Sequence, residues 1–300
     1  MLGLEYFEFT QVWSPVALSL TLLAIAGYFV LIGPVGEGYG KGEKVAPGRR
    51  ALFVIGMLLL YLAQAGPVEL LGHIMFSFHM ISMALSYLIA PPLLMLGMPR
   101  WVWNRLAAWL KHTPIRYLRF MLHPIVAAVV FNGLFSFYHI PVIHDYVMLH
   151  FGVHRLYYTV LFLTAGLMWW TLVAPLPKEG EAQGLKKMGF IFLNMVLLTP
   201  ACGLIIFAGE PLYATYSDPT VWAKAMGYCV PGDSSNLLSR FGGAEFFGYL
   251  EPKIDQQVGG ILMKFFQEII FASMLAYVFL QWYRQENRED DEEELAFSRE

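Results

Sequence analysis

All eight histidines of this 300-residue chain lie between His73 and His154. Around the first of them the sequence reads Leu71-Gly72-His73-Ile74-Met75-Phe76-Ser77-Phe78-His79-Met80-Ile81-Ser82-Met83. On a continuous helix Met75, His79 and Met83 share one face, each a turn from the next, and His73 and Met80 share another. Imidazole and thioether together suit a soft ion, above all Cu(I), better than zinc or magnesium. A second group follows in His139-Ile140-Pro141-Val142-Ile143-His144-Asp145, and then His150 and His154 stand one helical turn apart. That spacing puts two imidazoles on one helical face, as metal pairs require, and Asp145 could orient a ligand through its second ring nitrogen. The competing explanation is packing: methionine is a flexible filler of apolar helices, and the chain has 15 of them.

These residues must be positioned by a chain that is 57% apolar and 14% charged. Soluble domains carry about 25% charged residues, so a water-facing surface cannot be built from this composition and the lipid bilayer is the expected surrounding. A net charge of -3 without a long basic run excludes nucleic acid as the main partner. Two cysteines, Cys202 and Cys229, exclude a disulfide-framework scaffold. Aromatic residues at 16%, eight of them Trp, suit anchoring at two membrane interfaces.

Crossing the hydrocarbon layer takes about 20 apolar residues per helix. Seven stretches qualify: Ser14 to Ile32, Ala51 to Val68, Ile74 to Leu96, Met121 to Val142, Leu156 to Pro175, Met188 to Ala208, and Val258 to Phe279. The expected fold is therefore all-α, a polytopic seven-helix bundle forming a single domain over residues 1–285. Met1 to Trp13 carries Glu5 and Glu8 and no Lys or Arg, unlike the start of a secretory signal, so the first span is expected to be retained. Lys and Arg favour short cytoplasmic loops. Four lie between spans one and two, five between three and four, three between five and six, and three in the C-terminal tail, against three in the long segment after span six. The N-terminus is expected outside and the C-terminus in the cytoplasm.

With that orientation, His112 and His123 fall on the cytoplasmic side, and His73, His79, His139, His144, His150 and His154 fall in one external layer. A single interfacial histidine is commonly just wet at its polar tip. Six in one layer, at depths where ionisable side chains are costly, point to function. Other polar features carry less. Gln64 and Glu69 could line the same cavity, and Lys264 and Glu268, one turn apart in span seven, are expected to neutralise each other inside the bundle. Cys202 reads mainly as a small apolar filler, with pairing to Cys229 left open. A loop at about 210–257 with turn signals at Pro211, Pro219, Pro231-Gly232 and Gly242-Gly243 is expected to cap the bundle. The tail at 286–300, with the acidic run Glu289 to Glu294, is expected to be disordered. The chain has no phosphate loop, haem-attachment motif, nucleophile elbow or zinc-protease motif.

Three stretches resemble the caa3-type cytochrome c oxidase assembly factors of the bacterial plasma membrane. They are His79-Met80 with Ala90-Pro91-Pro92-Leu93-Leu94; His139-x-Pro141 through His150 and His154 to Trp169-Trp170 and Pro175; and Asp255-Gln256-Gln257-Val258-Gly259-Gly260-Ile261-Leu262-Met263. The last is the most specific. The resemblance implies a multi-pass protein, not an enzyme, that works with cytochrome c oxidase subunits and has a suspected role in copper delivery. It marks His79, His139, His150, His154 and Asp255 as the positions that matter, with Met263 completing the signature. Many relatives place a histidine where this chain has Met75, so either His73 or Met75 takes that role.

The reading that follows is a bundle holding copper transiently in an external His and Met layer: His73, Met75, His79, Met80, Met83, His139, His144, His150 and His154, supported by Glu69, Asp145, Cys202, Asp255 and Met263. Two rivals are a b-type cytochrome with histidine-ligated haem and a copper permease. The permease is disfavoured because ligands do not continue into the cytoplasmic half. Dimerisation is left open.

Overall fold

The computed structural model describes residues 3–39, 44–112, 120–173, 182–228, 230, 234–248 and 250–297. In chain order the main helices are α1 (Phe9–Val35), α2 (Pro47–Ile74), α3 (Phe76–Gly97), α4 (Arg100–His112), α5 (Pro124–Tyr138), α6 (Pro141–Met148) and α7 (Phe151–Val173). They continue as α8 (Ala182–Ile206), α9 (Ala214–Ser217), α10 (Pro219–Met226), α11 (Ser234–Phe241) and α12 (Pro252–Phe297). Proline opens α2, α5, α6, α10 and α12, where its missing N–H costs nothing and its fixed φ suits the first turn. Among the described residues there is no strand.

Six of these helices are long and apolar enough to cross a membrane, and the α5–α6 pair makes a seventh if counted as one span. The chain is a multi-pass membrane protein. The fourth span does not run straight, however. Its two halves meet at 80°, because Pro141 cannot continue the ladder and forces the preceding Ile140 into extended backbone. A second departure lies between spans two and three. The chain reverses through the single extended residue Met75 (φ -129, ψ 133), so α2 and α3 form a hairpin with almost no loop. The tail expected to be disordered is a helical continuation of α12 as far as Phe297. Its Glu, Arg, Leu and Ala are good helix formers and no Gly or Pro interrupts them.

The main core lies between α3, α5, α7, α8 and α12 and includes Phe76, Met80, Met83, Tyr87, Phe131, Phe135, Trp169 and Phe271. Lipid tails supply little hydrophobic drive between helices, so association rests on packing and interhelical hydrogen bonds. Trp169 Nε1 donates to the Tyr87 carbonyl at 2.8 Å, and Asn132 Nδ2 donates to Asn194 Oδ1 at 2.8 Å. At one end of the bundle a second apolar cluster joins Val12, Leu70, Leu71, Ile74 and Met75 to Trp222, Met226, Phe241 and Phe247 of α10, α11 and the segment after them. The 210–257 segment thus folds down as a cap over the end where α2 turns into α3.

Candidate functional site

Beneath this cap the chain reversals gather five histidines. His79 comes from α3, His139 from the end of α5, His144 from α6, His154 from α7 and His73 from the end of α2; all five are buried. The 80° bend returns His144 over the bundle, placing its ring centroid 5.2 Å from that of His79, and the His139 ring lies 6.1 Å from His79. His73 and His154 face each other at 5.9 Å.

Their ring nitrogens are divided unevenly. His139 Nδ1 donates to the Phe135 carbonyl at 2.7 Å and His73 Nδ1 to the Glu69 carbonyl at 3.0 Å, the backbone acceptors one turn earlier. A carbonyl can only accept, so Nδ1 carries the proton in each neutral ring and Nε2 keeps its lone pair. Nε2 of His79, His139, His144 and His154 is buried with no hydrogen-bond partner, as is Nδ1 of His144. Buried polar atoms are nearly always paired, so five orphaned nitrogens on four imidazoles in one layer require an explanation. Among the described residues, no three His, Cys, Asp or Glu side chains converge closely enough to form a finished metal cage.

Aromatic side chains fill the space around the imidazoles, and nothing in the sequence beyond a high aromatic content points to them. Tyr213 lies 4.6 Å from His144 and Tyr158 4.0 Å from His154, while Tyr138 lies 5.2 Å from His144 and stacks on His79 at 5.7 Å. Two tyrosines reach down from the cap: Tyr213 Oη donates to the His139 carbonyl at 2.8 Å and Tyr216 Oη to the Gly72 carbonyl at 2.7 Å. Burial pushes both phenols well above their usual range, so they stay protonated and act as donors.

Several residues grouped by spacing are not grouped in space. His150 stands just before the first residue of α7, is exposed, stacks on Tyr146 at 4.1 Å and donates Nδ1 to its carbonyl. Met75 belongs to the cap cluster, because the break at its own backbone removes it from the helix that carries His79. The same break separates His73 from Met80. Met80, Met83, Met263 and Cys202 are buried in the main core, Cys202 as a free thiol. Cys229 lies outside the described residues.

The acidic residues beside the histidines tie separate segments together. Asp145 accepts from Ala214 N at 3.0 Å, Thr215 N at 3.1 Å and Thr215 Oγ1 at 2.7 Å, so it holds the cap. It lies 3.5 Å from His144 Nδ1 without making a hydrogen bond to it. Glu69 lies 3.5 Å from Arg155 at the edge of the His73–His154 pair. Asp255 accepts the backbone N–H of Phe76 at 2.6 Å and the Ser77 hydroxyl, capping the start of α3 from a neighbouring helix. Gln256 Oε1 accepts from Leu212 N at 2.7 Å, and Gln257 Nε2 donates to the Ala208 carbonyl at 3.2 Å. Gly259 and Gly260 then let α12 close on its neighbours: a Cβ would fall 2.7 Å from the Phe76 ring and 2.8 Å from Ile206. The Asp-Gln-Gln-Val-Gly-Gly run is thus the joint that ties α12 to α3, α8 and the cap.

The chain is 24% identical over 290 residues to an uncharacterized protein of Mycobacterium bovis and, equally, to one of Mycobacterium tuberculosis. The match covers 89% of this chain but only 39% of each relative, so the chain spans well under half the length of these curated relatives. No solved structure matches it. The profile of the cytochrome c oxidase caa3 assembly factors matches residues 26–285, which takes in all the membrane helices after the first, the cap and every residue of the histidine layer. This chain belongs to the cytochrome c oxidase caa3 assembly factor family.

Proposed function

We propose that this protein serves the assembly of a caa3-type oxidase by carrying Cu(I) as cargo in the buried histidine layer and giving it up to an oxidase subunit. The observation that carries the reading is the set of orphaned nitrogens: Nε2 of His79, His139, His144 and His154, all buried and unpartnered. In His139 the proton is held on Nδ1, which leaves the Nε2 lone pair free, and imidazole is a suitable ligand for copper. His79, His139 and His144 would hold the ion, with His73 and His154 as a neighbouring pair. Imidazoles standing 5.2 to 6.1 Å apart suit temporary custody, since small ring movements can open or close the ligand set. Transfer would be ligand exchange, with the receiving site replacing imidazoles in turn. Phe76, Tyr138, Tyr213 and Tyr216 pack against these rings where a haem macrocycle would have to lie, which favours an ion over haem. The charge asymmetry of the loops directs the histidine end to the external face.

The test is metal analysis of detergent-purified protein from cells grown with and without added copper. Wild-type protein should retain copper through purification, and His79→Ala and His144→Ala should lose it while remaining at normal abundance in the membrane. Added copper should partly restore oxidase activity in those strains by mass action. Wild-type protein free of copper under both conditions, or a Soret band in its absorption spectrum, would overturn the reading.

A further inference from the structure

Lys264 and Glu268 form an ion pair at membrane depth, not inside the bundle as their spacing in span seven led one to expect but on its outside. Lys264 Nζ lies 2.6 Å from Glu268 Oε1 and donates to Thr199 Oγ1 of α8 at 2.9 Å, yet the two charged side chains remain 30% and 42% exposed. Lys264 follows the first residue of α12 by about 18 Å, and Thr199 stands about 10 Å inward of the end of α8, at 1.5 Å per residue. Both partners of the ammonium therefore hold it away from the headgroups, where a snorkelling lysine would place it. Charges at this depth otherwise face the bundle interior or a cavity; here they face outward.

The surrounding surface fits a second helix. Ile261, Phe265, Ala272 and Ala276 are exposed and follow one another and the charged pair at helical spacings, so they share its face. Alanines at 272 and 276 let a neighbouring backbone come close.

We propose that this face of α12 binds the same face of a second copy of the chain, joining the two ion pairs into one four-charge network. A two-fold axis along the membrane normal sets the two α12 helices parallel, so a residue faces its own counterpart and the position one turn on. Lys264 then meets Glu268 of the partner subunit, and the reverse contact forms at the same time. A surface with opposite charges one turn apart is its own complement, whereas a foreign helix would have to bring the same pair at the same depth. This face lies away from the histidines and does not depend on the metal reading.

Co-purification of two differently tagged copies from the same membranes tests the proposal. Lys264→Glu alone puts four carboxylates into the interface and Glu268→Lys alone puts four ammonium groups there. Each should lower co-purification of identical copies about tenfold or more. Expressed together, the Lys264→Glu chain and the Glu268→Lys chain oppose unlike charges and should co-purify as wild type does. The pair within each chain stays broken in that mixture, so recovery can come only from contacts between chains. Where a reversed chain fails to accumulate alone, joint accumulation is the readout: recovery supports the interface and continued loss overturns it. Wild-type copies that do not co-purify, a mixture no better than the single reversals, or a Lys264→Met/Glu268→Met chain that pairs as wild type would each overturn the proposal.

Discussion

The carboxylate of Asp255, at the start of α12, closes the N-terminus of α3 by accepting the Phe76 backbone N–H at 2.6 Å. The break at Met75 leaves the first N–H groups of α3 without helical partners, and the cap makes good that deficit from a residue 179 positions further along the chain. Chain reversal and helix joint are thus one structural unit, and the histidine on α3 depends on both.

Asp255→Ala should therefore lower stability by about 2 kcal/mol, the cost of leaving buried donors without a charged acceptor. Asp255→Asn should recover part of the loss, since its amide oxygen can still accept. Thermal unfolding of the detergent-solubilised variants checks this, and an alanine variant as stable as wild type would show that water reaches the helix end.

Gly259→Ala and Gly260→Ala should each destabilise by about 1–3 kcal/mol, because an added methyl overfills a closed contact with Phe76 or Ile206. Gly133 and Gly203 have nothing within 4 Å of the added atom. Alanine there should be neutral or stabilising, by up to about 1 kcal/mol from helix propensity. Unfolding midpoints of the four variants should separate into these two pairs.

His154→Ala should lower copper retention while His150→Ala should not, although both belong to the motif identified in the sequence. His154 Nε2 is buried and unpartnered, whereas His150 is exposed and occupied with Tyr146. Equal copper loss in the two variants, at equal abundance, would place the ligand layer elsewhere.

Asp145→Ala should release the cap by removing its three hydrogen bonds to Ala214 and Thr215, each worth about 1.5–3 kcal/mol when the acceptor is charged. Limited proteolysis should then cut within 210–257 faster than in wild type. Thr215→Val, which removes one bond, should show a smaller effect in the same direction.

The Lys and Arg distribution predicts an external N-terminus and a cytoplasmic C-terminus. A reporter fused after Glu300 should be active in the cytoplasm, and a cysteine introduced at the exposed Asn236 should react with an impermeant reagent added outside. The opposite pattern would turn the histidine layer to the cytoplasm and exclude delivery on the external face.

The sequence by itself determined the solvent, the class of fold, the approximate spans and the sorting of six histidines to one end. These follow from local quantities: apolar length against hydrocarbon thickness, and position along a span against depth. Tertiary structure decided which of those histidines meet. Spacing treated Met75, His79 and Met83 as one helical face, but the helix begins at Phe76, and a rule of periodicity holds only within an unbroken helix. Likewise His150 and His154 share a spacing, but α7 starts between them. Apolar length carries span four unbroken through Pro141 to Val142, and only the 80° turn there brings His144 back against His79. Asp145 and Asp255 were legible as important but their partners were not, because those partners are backbone N–H groups, and every residue has one whatever its type. Sequence type marks such carboxylates as costly to bury; only the packing of distant segments shows which groups offset that cost.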